Sequence, residues 1–380
     1  MVHTCTVTTT LSRWEYHTLY NALYDKNAGT PWNNSLQYRF SDHAHGINLF
    51  TVARNRKKED DYTHYWAEAY LNLAKLAGLG SGELYTDEYR PLCDNFYAIM
   101  FSLTGYEDIS VLSRFRIKRI DYAVDIRTDS VALYRQVFQR GEKPPGMTIK
   151  GDAVVQYENG IAYTYKTTDM LNSYDKEQER LNQGYTAEEA GKWRNVLRFE
   201  LQSKRKSVQN IRKKTDAPDT RLTTFLLDDS ISREIVRKMV KFYNTIAGRG
   251  DYYTLRAAVK KLHALRCNID DMLDAEKLLR EVDKRGSVDA VWKSQDEKQK
   301  RKTRRIIRWM SSQGINAATI PAGSGTDHLE SLTAQFQHDV KASFPSLPDE
   351  YFDEQFEEPT PAAPRKRRGD MPKKRQDLKK

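Results

Sequence analysis

The sequence predicts an α+β protein: a mostly antiparallel sheet covered by helices, followed by an all-helical domain and a disordered tail. Three observations lead there. Alternating, β-branched runs are interleaved with capped helical stretches up to about residue 205; from Ser207 apolar residues recur at helical spacing; beyond Pro321 that periodicity fades. The chain has 380 residues, too many for one small core, and the pattern divides it into 1–205, 206–320 and 321–380.

In chain order, VHTCTVTTT alternates and is rich in β-branched residues, which suits a strand. Ser12 caps a helix through SRWEYHTLYNALYDK that ends near Gly29. SLQYRF and GINLFTVAR form a strand pair. YWAEAYLNLAKLAG repeats its apolar residues at three and four and stops at Gly78, which predicts a helix. A second helical stretch covers 85–106. Then come the strand RIKRIDYAVDI, the short helix SVALYRQVF, and a β-rich piece over 148–176 with a hairpin at Glu158-Asn159-Gly160. Thr186 and Glu189 make a capping box for TAEEAGKWRNV, and the strand LRFELQSK closes the first domain. Four striped helices follow: SREIVRKMVKFYNTIAG, YTLRAAVKKLHAL, IDDMLDAEKLLREV and KQKRKTRRIIRWMSSQGI. They are broken by Gly248-Arg249-Gly250 and Gly286-Ser287. The end, from FPSLPDEYFDEQFEEPTPAAP to a basic terminus, has the composition of disorder or of a docking segment.

Net charge is +10 and the pI about 9.2, with the excess concentrated at 298–308 and 365–380. A basic balance of this kind favours a polyanion partner. Mean hydropathy is -0.77; no apolar run is long enough to span a membrane and no signal sequence is visible. The three cysteines, Cys5, Cys93 and Cys267, are widely spaced and form no metal or disulfide pattern, which fits a reducing cytoplasm.

Two strands carry the chemistry. In RIDYAVDI, Ile120, Tyr122, Val124 and Ile126 share one face; Arg119, Asp121, Ala123 and Asp125 share the other. In LRFEL, Leu197, Phe199 and Leu201 oppose Arg198 and Glu200. If the strands share a sheet, Asp121, Asp125 and Glu200 gather on one surface, which is costly unless a cation sits among them. Asp121 and Asp125 lie roughly 13 Å apart along a strand, so one of them serves structure or holds Arg119 or Arg198. The competing reading is a solvated face of Arg–carboxylate pairs.

Tyrosines crowd QYENGIAYTYKTTDMLNSYDK. Tyr163 and Tyr165 face the same way on a strand, Lys166 follows, and Tyr174-Asp175-Lys176 comes after a short connection. A phenol near a divalent ion and a lysine can attack a phosphodiester, although tyrosine also suits strands for no catalytic reason. His43 and His45 stand at strand spacing and could bind a divalent metal, but Asp42 and Gly46 favour a loop. The basic helix presents Lys298, Lys300, Arg301, Lys302, Arg304, Arg305 and Arg308, with few interleaved acids, as phosphate contact requires.

In this order and spacing RIDYAVDI, the tyrosine-bearing hairpin, SYDKEQERL and LRFELQSK resemble the rolling-circle replication initiators of plasmids and filamentous phages, within the superfamily of HUH-like tyrosine nucleases. GINLF, AEAYLNLAKLAG and the late GINAATIP add to the resemblance, which spans about residues 1–320. It implies a rearranged HUH-like nuclease fold over 1–205 and a helical DNA-binding domain, of winged-helix or helix-turn-helix type, over 206–320. It further implies a divalent metal, Mg or Mn, and a covalent 5′-phosphotyrosine intermediate. Asp121, Asp125 and Glu200 would be the acidic metal or structural set, and Tyr174, Asp175 and Lys176 match the Y-D-K element. The nucleophile lies on the strand before it. Tyr163 and Tyr165 both remain candidates, with Tyr157 a third; Tyr163 is favoured because its distance to that element is the less compressed. Lys166 or Lys176 would stabilise charge on the phosphate. The implied partners are origin DNA, including a hairpin extruded from it, and a host helicase and polymerase in a bacterial cytoplasm; no P-loop is present, and a homodimer is compatible. A relaxase- or transposase-type mobilisation nuclease and a non-enzymatic DNA-binding regulator are the alternatives.

Overall fold

The computed structural model describes residues 2–26, 29–32, 37–56, 63–79, 89–143, 148–149, 160–164, 168–265 and 268–356. The first half builds strands β1 (Val2–Leu11), β2 (Gly29–Trp32), β3 (Gln37–Asp42), β4 (Ile47–Arg56), β5 (Thr63–Asn72), β6 (Arg116–Arg127), β7 (Thr148–Ile149), β8 (Gly160–Thr164), β9 (Asp169–Asp175) and β10 (Val196–Lys204). They form one sheet in the order β2-β3-β4-β5-β1-β6-β10-β9-β8-β7, with every neighbouring pair antiparallel. The α+β class and antiparallel sheet expected from the sequence are therefore present. The expected hairpin residues Glu158 and Asn159 and the basic terminus 365–380 lie outside the described residues.

Helices α1 (Arg13–Asp25), α2 (Leu73–Leu76), α3 (Tyr89–Thr104), α4 (Val131–Gln139), α5 (Lys176–Asn182) and α6 (Ala187–Gly191) are set between the strands. Capping boxes start α1 at Ser12 with Glu15 and α6 at Thr186 with Glu189, since each side chain answers a backbone N–H that the first turn leaves unpaired. One face of the sheet is apolar: Cys5, Val7, Ala67, Ala69, Leu71, Ile120, Tyr122, Val124, Phe199 and Leu201 are all buried in one hydrophobic cluster. The opposite face is polar and carries the site.

The expected helix YWAEAYLNLAKLAG is instead the long strand β5, followed by the single turn α2. Its sequence satisfies both periods. Ala67, Ala69 and Leu71 alternate against Trp66, Glu68 and Tyr70, and a place between β4 and β1 decides for the strand, because both ladders are then paired.

After β10 the chain continues as α7 (Arg205–Lys214), α8 (Leu222–Leu227) and α9 (Asp229–Ile246). Val208, Ile211, Phe225, Ile235 and Tyr243 from these helices join the hydrophobic cluster of the sheet, so residue 205 is no boundary between cores. A separate cluster is built by α10 (Leu255–Ala264), α11 (Ile269–Arg285), α12 (Val288–Lys293) and α13 (Glu297–Ser312). Gly286, at φ 83°, ends α11 in the left-handed conformation, and Ser287 caps α12. The small ribbon β11 (Tyr252–Tyr253) and β12 (His328–Leu329) leads the chain back to the sheet.

The expectation of disorder from 321 is corrected as far as residue 356. There, α14 (Thr333–Ser343) packs on β6 and α15 (Asp349–Phe356) on α14 and α9. Phe336 stacks on Tyr243 at 4.0 Å between ring centroids and meets Phe199 edge-on at 5.6 Å. Phe352 is buried, and Tyr351 donates to the Arg233 carbonyl at 2.5 Å. The aromatic residues that suggested a docking segment thus close the core. Hydropathy missed them because the flanking residues are acidic. No helix among the described residues is long and apolar enough to cross a membrane.

Phe336→Ala is expected to destabilise the protein by about 3–5 kcal/mol, the range for truncating a buried aromatic side chain. A fall in the urea midpoint at unchanged slope checks it; no change would return α14 to the status of a dispensable tail.

Candidate functional site

In the antiparallel pair β6–β10, Gln202 stands opposite Asp121 and Leu201 opposite Tyr122. Directly opposed residues share a face, so Leu201 and Tyr122 enter the core while Asp121, Glu200 and Gln202 line the polar side. Next to β10, β9 places Asn172 opposite Glu200 and Tyr174 opposite Arg198, on that same side. The side chains wall a cavity of about 710 Å³.

Tyr174 Oη donates to Glu200 Oε2 at 2.9 Å, and Gln202 Nε2 donates to Glu200 Oε1 at 2.5 Å. Gly160 pairs with Tyr174 on β8, and a Cβ there would fall 2.5 Å from the Tyr174 Cβ. The missing side chain is what lets the tyrosine sit in this row. Burial, and then the Glu200 charge, hold the Tyr174 phenol well above its ordinary pKa. Asp121 accepts from Thr4 Oγ1 at 2.6 Å and takes both arms of Arg119, at 2.8 and 2.7 Å. Burial pushes its carboxyl up to about 6; Arg119 opposes that shift and Glu200 adds to it.

A cationic wall faces these acids. Lys176, buried, bonds Glu179 at 2.7 Å and lies over the Tyr174 ring at 5.6 Å. Burial and then Arg198 bring its ammonium down to about 8. Arg180 stacks between Tyr185 and Trp193, and its buried Nε lies 3.9 Å from Glu179 Oε2 without a hydrogen bond among the described residues. His3 also lines the cavity. A register shift between Val2 and Thr4, against Tyr122 and Asp121, makes His3 the extra residue of a β-bulge. Burial and the charges of Arg198, Lys176, Arg180 and Arg119 keep its imidazole neutral. His3 and Arg180 are absent from the expected site. Gln202 was legible by alternation from Glu200, whereas nothing local signals a bulge.

Several expected residues are elsewhere. Tyr163 stands opposite Leu171, which puts its ring on the core face, buried, with the phenol raised to about 12 by that burial. The strand alternation that gathers the acids turns this phenol away from them. Tyr165, Lys166 and Tyr157 lie outside the described residues, as does Cys267. Asp125 shares the polar face but is held by Arg198 through two bonds of 2.6 Å and does not line the cavity. His43 and His45 belong to the turn between β3 and β4; His43 reaches the cavity, while His45 bonds Asp42 at 2.8 Å. Gly46 closes that turn at φ 87°, where a Cβ would meet the Asn72 carbonyl at 2.6 Å.

On α13, Lys298, Arg301, Lys302, Arg304, Arg305 and Arg308 are exposed and Lys300 half-buried. The expectation that acids are lacking is corrected: Asp274 of α11 bonds Lys302 at 2.6 Å, and Asp271 bonds Arg305 at 3.0 Å. Lys300 meets Glu297, Arg304 stacks over Trp292, and Lys298 and Arg301 make no ion pair among the described residues, although Glu297 feels the charge of Arg301. Three residues, 294–296, separate α12 from α13, the spacing of a helix-turn-helix.

For a divalent ion the donors are Asp121 and Glu200, near-diagonal neighbours on adjacent strands and therefore about 7–8 Å apart at the backbone. Among the described residues no three His, Cys, Asp or Glu side chains come together as a metal group. The oxygens of Asp121 already accept from Arg119 and Thr4 and those of Glu200 from Tyr174 and Gln202, so a magnesium-type ion here would share them, keep water and phosphate oxygens in its other positions, and have no all-protein cage. No family model matches the chain, and no curated protein matches it.

In metal-free protein the Asp121 carboxyl carbon should titrate with a midpoint near 6 by NMR. Glu200→Gln should lower that midpoint, since it removes the neighbouring negative charge; an unchanged value would mean the two acids do not sense each other. Gly160→Ala should displace Tyr174 and broaden or shift its ring resonances.

Proposed function

We propose that this chain is a replication initiator that nicks one strand of a plasmid or phage origin and holds the cut end as a 5′-phosphotyrosine. The observation that carries the reading is the Tyr174 phenol donating to Glu200 at 2.9 Å, inside a cavity walled by Lys176 and Arg180. Carboxylate, phenol and cations are the parts a phosphodiester transesterification needs: a base, a nucleophile and a cradle for anionic charge. With Tyr163 turned into the core, Tyr174 is the described tyrosine from the expected set that can take this part.

In the proposed step Glu200 takes the phenolic proton as Tyr174 Oη attacks the scissile phosphorus. A bond forms between Oη and phosphorus, the bond from phosphorus to the 3′-oxygen breaks, and that oxygen leaves with a proton from water. A 3′-hydroxyl remains to prime a host polymerase, and unwinding falls to a host helicase. Burial holds the phenol protonated at rest, so the nucleophile is released only when Glu200 can accept its proton. Lys176 and Arg180 offset charge on the phosphate. Arg119 favours the ionised form of Asp121 and orients it. A Mg or Mn ion on Asp121 and Glu200 would polarise the phosphate when bound. The helix-turn-helix-like pair α12–α13, with Lys298 and Arg301 in no ion pair among the described residues, would dock origin duplex.

The test is incubation of supercoiled origin plasmid, or an origin oligonucleotide, with protein and Mn, followed by mass spectrometry of crosslinked peptides. A Tyr174 adduct, abolished in Tyr174→Phe, is expected. An adduct on Tyr165 would reassign the nucleophile, and a gel shift with no relaxation or adduct would leave a DNA-binding regulator. Lys176 is cationic below about 8 and neutral above it, so the nicking rate should fall as pH rises through about 8. Lys176→Arg should carry that limb upward, because guanidinium keeps its proton; a limb that stays put would detach it from Lys176.

A further inference from the structure

The polar face does not end at the cavity. Along β1, Thr4 lines the cavity, and Thr8 and Thr10 line a second hollow of about 440 Å³. Thr4 to Thr8 is roughly 13 Å of strand, a span that a few nucleotides of extended chain cover. Beside it, β6 pairs Thr6 with Arg119, Val7 with Ile117 and Thr8 with Arg116, which leaves Lys118 as the extra residue of a second bulge. Arg119 lies in the cavity, whereas Lys118 and Arg116 lie in the hollow, where Arg205 from the start of α7 joins them. Lys118 is paired with Glu68, and Arg114 with Glu15 at 2.6 Å. Arg116 and Arg205 are exposed and have no ion pair among the described residues. Trp66, half-buried, supplies an aromatic face in the same hollow.

We infer that this hollow is a binding site for single-stranded polynucleotide, with Arg116 and Arg205 on phosphates and Trp66 stacked on a base. The inference rests on the proposed nicking reaction for its direction: the strand engaged in the cavity continues along the threonines of β1. Available cations set beside an aromatic ring along a groove are what single-strand binding uses. The chemistry of hydroxyls, guanidinium groups and an indole suits a sugar–phosphate chain with an unstacked base.

The experiment measures binding of fluorescent oligothymidines of increasing length to the full chain by anisotropy, across a salt series. Wild-type affinity should rise with length and then level off. Arg116→Gln with Arg205→Gln should weaken the longer strands by about tenfold and flatten the salt slope by about 1.4, at about 0.7 for each phosphate no longer neutralised. Trp66→Ala should weaken binding with the slope unchanged. Tyr174→Phe should bind as wild type does while forming no adduct. If wild type forms the adduct but the double variant binds long strands equally well, the hollow is not the site and the nicking reading stands. If no adduct ever forms but the double variant loses affinity and slope, the hollow stands and the nicking reading falls. Length-independent binding in the wild type also overturns the inference.

Discussion

The register of β6 against β10 is the constraint on which the rest depends. With Gln202 opposite Asp121, the large apolar residues of both strands enter the core while Asp121, Asp125, Arg198 and Glu200 stay on the polar face. A slip of β10 by one residue would turn Arg198 and Glu200 in among Phe138, Tyr243 and Phe336 and expose Phe199 and Leu201. The cost of burying even one unpaired charge is several kcal/mol, so the register is enforced far more strongly than any single hydrogen bond could enforce it. Tyr174 inherits its position from the same register, through β9.

The charges on that face are arranged in pairs graded by accessibility. Asp125 is neutralised by Arg198 away from the cavity, and Asp121 by Arg119 inside it. The hydrogen bonds to Glu200 come from a phenol and an amide, both neutral donors. It therefore has no cationic hydrogen-bond donor among the described residues, while Lys176 and Arg180 give the opposite wall a surplus that an entering phosphate can use. The two bulges of the central strands add to this. One brings His3 to the cavity and the other brings Lys118 to the neighbouring hollow, each by turning a residue that strict alternation would send to the core.

Much of the site was legible because alternation is a local property. The acid-bearing faces of RIDYAVDI and LRFEL follow from period two, and the same rule applied to GIAYTYK against DMLNSYDK would have turned Tyr163 away from the acids once Leu171 was paired with it. What hid that outcome is register, which belongs to two strands and not to one. β5 shows a related limit: its apolar residues fit both periods, and only the open ladders of β4 and β1 select the strand. The acids that neutralise Lys302 and Arg305 lie on α11, about thirty residues earlier, where no reading of α13 could find them.

By itself the sequence determined the α+β class, the caps at Ser12 and Thr186, the acid-bearing strand faces, and the basic helix, because each follows from neighbours within a turn or a few residues of strand. Tertiary structure alone decided which tyrosine meets Glu200, which acids are committed to arginines, and that residues 333–356 return to cover β6. Those outcomes depend on strand register, on bulges and on contacts between segments more than a hundred residues apart. Pairing geometry fixes such contacts, and no local pattern of residues encodes it.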